Sequence, residues 1–242
     1  MKHIYLVQSN DTLTEYQNTA QRAIPKLNAF LNDLQNMHKV TTLPRCVIWT
    51  DQHTATQLIS DIPIPAYTND YRTVFCPNLD SWRTIYLHQL DDTDNPDIRR
   101  YYETALSENH LLQILGHEFV HHSDLFIDEA YEKSIWFEEG MCEYISRRFF
   151  LTEQEFDEEA RINALLVAHY SAHNRVHSLE DFSVSTYKGN YSDIFFAYWR
   201  SFLAVKKIID AYNGDIHTVF VSYHEWFYSG CSIPLSQWFR LE

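Results

Sequence analysis

Glycine is scarce in this chain, with five residues in 242, and no G-x-G-x-x-G or G-x-x-x-x-G-K sequence is present to cradle the phosphates of a nucleotide. Cysteine is equally thin. Cys46, Cys76, Cys142 and Cys231 lie far apart without a C-x-x-C pair and could form at most two bridges. Reduced thiols in a cytosolic protein are the simpler expectation. Basic residues are outnumbered, 19 against 33 acidic ones, and the resulting charge of −14 repels phosphate backbones and anionic lipid head groups alike. Neither nucleic acid nor a membrane is therefore expected as a partner. Long apolar runs are missing too: Ile4-Tyr5-Leu6-Val7 is too short for a secretory signal core, and no stretch approaches the length needed to cross a bilayer. The expected location is cytoplasmic. Internal repeats are also lacking.

What is present is material for a core. Hydrophobic residues make up 45% of the chain and aromatics 15%, enough for one large domain or two intimately packed lobes. Residues 11–38 carry Leu13, Tyr16, Ala20, Ala23, Ile24, Leu27, Phe30, Leu31 and Leu34 near helical spacing, with Pro25 either kinking one helix or opening a second. Residues 46–50, 73–76 and 83–88 are rich in strand formers and read as a small sheet, with residues 60–71 connecting them as a loop. The acidic stretch 91–97 supplies capping side chains for a helical run that ends near Ser123, with a break at Ser107. Further helices are expected over 134–150, 153–173, 191–212 and 216–227. The predicted class is α+β: a small mixed sheet packed on one helix of residues 1–133, followed by a mainly helical part over 134–242 within one compact unit.

The helix ending near Ser123 holds His117-Glu118-Phe119-Val120-His121. Residues four apart on a helix share a face, so two imidazoles can reach one ion. Glu118 lies about 100° around the helix, beside the metal, where a carboxylate serves as general base. Leu111, Leu115 and Phe119 form a separate apolar stripe that anchors the helix. Thirteen histidines make such a motif attainable by composition alone, so support must come from elsewhere. Downstream, Trp136-Phe137-Glu138-Glu139-Gly140 offers a carboxylate, and a catalytic zinc commonly takes three protein ligands with a fourth position open. Glu139 is the expected third ligand. Glu143, one turn on, can orient a ligating histidine or remain a surface carboxylate.

His117-Glu118-x-x-His121 followed by Glu139-Gly140 resembles the gluzincin branch of zinc metallopeptidases, which includes thermolysin and the aminopeptidase-N-like enzymes. That resemblance, strongest at the zinc motif and spanning roughly residues 73–230, implies a zincin-like fold, one Zn2+ ion and hydrolysis of a peptide or protein substrate. It also implies Glu139 rather than Glu138 as ligand. Residues 197–205 are similar to the family's Y-x-x-G/S helix, which assigns oxyanion stabilisation to Tyr198, with Tyr191 and Tyr187 as alternatives. No G-x-M-E-N sequence accompanies residues 83–88, so the resemblance does not extend to recognition of a free amino terminus.

The expected chemistry is hydrolysis by a metal-activated water that Glu118 deprotonates, with residues 83–88 as the exposed edge strand pairing an extended peptide. Two other readings share the same residues: a catalytically inactive zinc-binding regulatory protein, and a hydrolase of a non-peptide amide or epoxide. Tyr198 also reads as a core aromatic beside Phe195, Phe196, Trp199 and Phe202. His169, His173 and His177 form a second helical series that lacks companion carboxylates or cysteines and reads as a solvated face. His122 points away from the ion if its neighbours point towards it. The acidic run lacks the ligand order and glycine of an EF-hand.

Overall fold

The computed structural model describes residues 1–90, 95–173 and 178–241. Asp91 to Asp94, the side chain of His173, and His177 lie outside the described residues, as do the expectations placed on them. The chain forms two compact units, one from Met1–Asp124 with Ile145–Glu153, the other from Leu125–Tyr144 with Gln154–Glu242.

In the first unit, strands β1 (Lys2–Leu6), β2 (Cys46–Thr50), β3 (Ala66–Thr68) and β4 (Arg72–Phe75) form a mixed sheet in the order β1-β2-β4-β3. The first three in that order run parallel and β3 runs antiparallel to β4. Helix α1 (Asn10–Met37) makes the crossover that a parallel β1-β2 pair requires. Its buried side chains, Tyr16, Ala20, Ala23, Leu27, Phe30 and Leu34, recur every three or four residues along its whole length. Burying six such positions at roughly 1.5–3 kcal/mol for each large one outweighs the cost of about 3 kcal/mol for an internal proline. Pro25 therefore sits exposed inside one continuous helix. Helices α2 (Leu79–His88), α3 (Pro96–Thr104) and α4 (Glu108–Val120) complete this unit.

Residues 83–88 are thus helical, not an edge strand. Asn78 caps α2 by accepting from the Ser81 N–H at 2.8 Å, and Trp82 and Ile85, three apart, are its buried pair. The cap and that spacing override the strand preference of Thr84, Ile85 and Tyr86. The edges of the sheet are β1 and β3, the latter inside the segment that read as a loop. The three residues of β3 are too few to display an alternating pattern.

In the second unit, α5 (Tyr131–Phe150) contributes its residues up to Tyr144 and continues into the first unit. It bends at Ser134, whose φ of −138° is not helical and whose Oγ donates to the Ala130 carbonyl at 2.9 Å. Helices α6 (Glu153–His173), α7 (Tyr191–Ala211), α8 (Ile216–Tyr228) and α9 (Leu235–Trp238) follow. Phe137 stacks on Tyr223 and Phe239 at 4.6 and 5.7 Å, the centre of an aromatic core. The chain is therefore α+β, with a small mixed sheet and a mainly helical remainder. No described helix is long and apolar enough to cross a membrane.

Candidate metal centre

Helix α4 begins at Ser107, which exchanges capping hydrogen bonds with His110. That histidine is tied in turn to the Tyr101 hydroxyl at 3.1 Å. From His110 to Val120 every residue but Ile114 is buried, against α1, β3 and β4. A Cβ at Gly116 would collide with Phe150 and press on Phe30, so glycine lets these rings close over the helix one residue before the motif. His117 and Glu118 are 4% and 7% exposed, in surroundings where a polar side chain must be hydrogen-bonded or hold an ion.

The two motif histidines converge. Their Nε2 atoms are 3.2 Å apart and their rings meet edge-on at 4.9 Å. Two neutral imidazoles can share one N–H···N bond at this distance. It also matches a metal bite: with Zn–N bonds of 2.0–2.1 Å and tetrahedral angles, two ligating nitrogens lie about 3.3 Å apart. Two nitrogens so placed could hold a metal ion. His122 turns elsewhere, its Nε2 2.8 Å from Thr68 Oγ1 on β3. Burial, then the neighbouring His121, holds its imidazole below the usual range for protonation. It ties the end of the motif helix to the edge strand, a role invisible without knowing that β3 exists.

In the second unit, Glu139 is 3% exposed on α5 and accepts a short hydrogen bond from the Tyr187 hydroxyl. Tyr198 donates to Tyr187 at 3.4 Å, so a chain of two phenols ends on this carboxylate. Burial, then the charge of Glu139, pushes the Tyr187 phenol well above its ordinary pKa and keeps it a donor. Tyr187 is therefore the direct partner of Glu139, and Tyr198 stands one step back. Tyr191 instead stacks on Phe195 at 6.3 Å. Glu143 is half-buried on the same helix as Glu139.

Gly140 has a structural reason to follow Glu139. A Cβ there would run into the Ser201 carbonyl and Val205 on α7, so the glycine sets how closely α5 and α7 pack. Cys142, buried and in no disulfide among the described residues, lies three residues past Glu139. A thiolate is as competent a zinc ligand as a carboxylate, and isolated cysteines gave no spacing signal for that role. His169 meets the Tyr170 ring edge-on at 5.1 Å.

Compared with known protein families, curated proteins and solved structures, the chain matches none. The likeness to gluzincins rests on the residues that carry it.

Proposed function

We propose that the protein is a zinc-dependent metallopeptidase of zincin-like build, in which His117, His121 and Glu139 bind one zinc ion and Glu118 is the general base. The observation that carries this reading is the pair of Nε2 atoms 3.2 Å apart, one on buried His117 and one on half-buried His121, with a buried carboxylate next in sequence to the first. When bound, zinc supplies Lewis-acid polarisation of a carbonyl and acidifies water. Glu118 takes the proton of the attacking water and passes it to the departing amine nitrogen. Its burial strengthens that exchange, because few waters compete for the carboxylate. Tyr187 holds the Glu139 carboxylate by its hydroxyl, and Tyr198, on release of its bond to Tyr187, turns its hydroxyl to the charge developing on the carbonyl oxygen.

Strand β3 is the peptide-binding edge in this reading. In its ladder with β4, Asn69 donates to Arg72, and Pro65 accepts from Cys76. Alternation then directs the N–H and C=O of buried Ala66 and half-buried Thr68 away from β4, the side on which an extended peptide would pair.

Glu118→Gln is the decisive variant: it is expected to keep one bound zinc per chain and lose at least a thousandfold in peptide hydrolysis. Retained hydrolysis in that variant would falsify the assignment of the base. An inactive zinc-binding protein predicts instead that the metal-loaded wild type cleaves nothing in a peptide library. Zinc stoichiometry in Glu139→Gln and Cys142→Ser identifies which side chain of α5 is the ligand, with loss expected in the first.

A further inference from the structure

A cavity of about 320 Å³ lies in the second unit between the segment from Ser178 to Gly189 and one face of α7. Asp193, Phe196, Ala197, Arg200 and Ser201 form that face, at the three- and four-residue spacing of a helix stripe. Ser201 is fully buried, lines the cavity, and its Oγ has no hydrogen-bond partner among the described residues. A buried hydroxyl left unmade is costly, so its presence beside a cavity points to a ligand that completes it.

We infer that this cavity is a subsite for a substrate carboxylate, bound by the Arg200 guanidinium and the Ser201 hydroxyl between the rings of Phe182 and Phe196. Arg200 is half-buried, lies over the Phe196 ring at 5.4 Å and reaches the Ser178 carbonyl at 3.4 Å. That stacking presents its planar fork, which pairs with a carboxylate through two parallel N–H···O bonds. Asp181 and Asp193 also border the cavity, but neither makes it a cation site. Asp181 is engaged at 2.7 Å by the Ser178 N–H, and Asp193 stands exposed in the first turn of α7. The apolar rings suit the methylenes that carry such a carboxylate, and the volume suits one residue. Phe182 links this cavity to the tyrosine chain. Its ring lies 5.7 Å from both Tyr187 and Tyr198, so the subsite shares a wall with the hydroxyls that end on Glu139.

Where the carboxylate belongs to a peptide substrate, this inference rests on the peptidase reading, so it is tested by binding rather than turnover. Two sources share the chemistry: an acidic side chain and a free carboxyl terminus. Zinc-loaded Glu118→Gln protein is titrated calorimetrically with pentapeptides blocked at both ends that carry Glu or Gln at one position, and with peptides ending in carboxylate or amide. At least tenfold tighter binding of one carboxylate form over its neutral counterpart is expected, and identifies the source. Adding Arg200→Gln or Ser201→Ala should erase that preference, and Arg200→Lys should keep part of it. Ser201→Ala removes only an unpaired hydroxyl, so a purely structural role predicts an unchanged preference and an unchanged or higher melting temperature. Equal affinity for charged and neutral forms, or a preference that survives Ser201→Ala, overturns the subsite. Carboxylate binding that depends on Arg200, alongside a wild type that cleaves nothing, overturns the peptidase reading and supports the subsite.

Discussion

At the level of single residues, the hydroxyl chain on Glu139 makes separable demands. Tyr187→Phe removes the donor that orients the buried carboxylate proposed as ligand, and zinc affinity is expected to fall about 10- to 100-fold in a competition titration. Tyr198→Phe should leave zinc affinity near wild type and lower kcat by about 10²–10³, as loss of one oxyanion donor does. His3 offers a test away from the site. The indole of fully buried Trp49 donates to His3 Nδ1 at 3.0 Å, a bond that requires a neutral imidazole. Burial, then the nearby amino terminus, lowers the His3 pKa below its ordinary 6.5. The unfolded chain therefore takes up this proton first as pH falls. His3 adds no pH dependence above 6.5, and stability drops as pH descends from 6.5 towards the lowered folded value. Urea unfolding at pH 7.5 and 5.5 should show this loss, and His3→Gln, which accepts without titrating, should reduce it. These partners were illegible in the sequence because Trp49 and His3 are 46 positions apart.

At the level of elements, two helical glycines have different tolerances. In Gly140→Ala the added Cβ meets a backbone carbonyl on α7, which cannot yield without moving the helix. Overpacking of about 1–3 kcal/mol should exceed the helix-propensity gain of about 1 kcal/mol, giving net destabilisation in chemical denaturation. Gly116→Ala meets ring atoms of Phe150 and Phe30, which can turn, and a smaller loss is expected. The helices α1, α4 and α6 were readable because their apolar spacing or caps persist over many residues. The reading of residues 83–88 as a strand failed where a six-residue window of β formers belonged to a helix whose cap lay upstream. Strand β3 was missed because three residues cannot establish a period. Its proposed role is checked with substrate peptides N-methylated at single positions. Methylation of the amides that face Ala66 or Thr68 should raise KM, while methylation at alternate positions should not.

For the whole molecule, zinc is expected to be part of folded stability. A ligand that binds only the folded chain, at one hundred times its Kd, stabilises by about 2.7 kcal/mol. Wild type should show an upward melting shift on zinc addition that His117→Ala lacks, and a chelator should reverse it. An equal shift in both proteins would remove His117 from the site. The sequence by itself determined the α+β class, the long helices and the placement of His117 and Glu118 on one helix with His121 at its C-cap, because each follows from spacing within a few turns of backbone. Only the tertiary structure decided that the two histidine nitrogens converge to 3.2 Å, with His117 buried and His121 half-buried, that Tyr187 meets Glu139, and that β3 is one edge of the sheet. It also decided that Gly140 and Ser201 face each other across α5 and α7. Such facts join residues tens of positions apart, and their pairing is set by packing between elements, which no local pattern encodes.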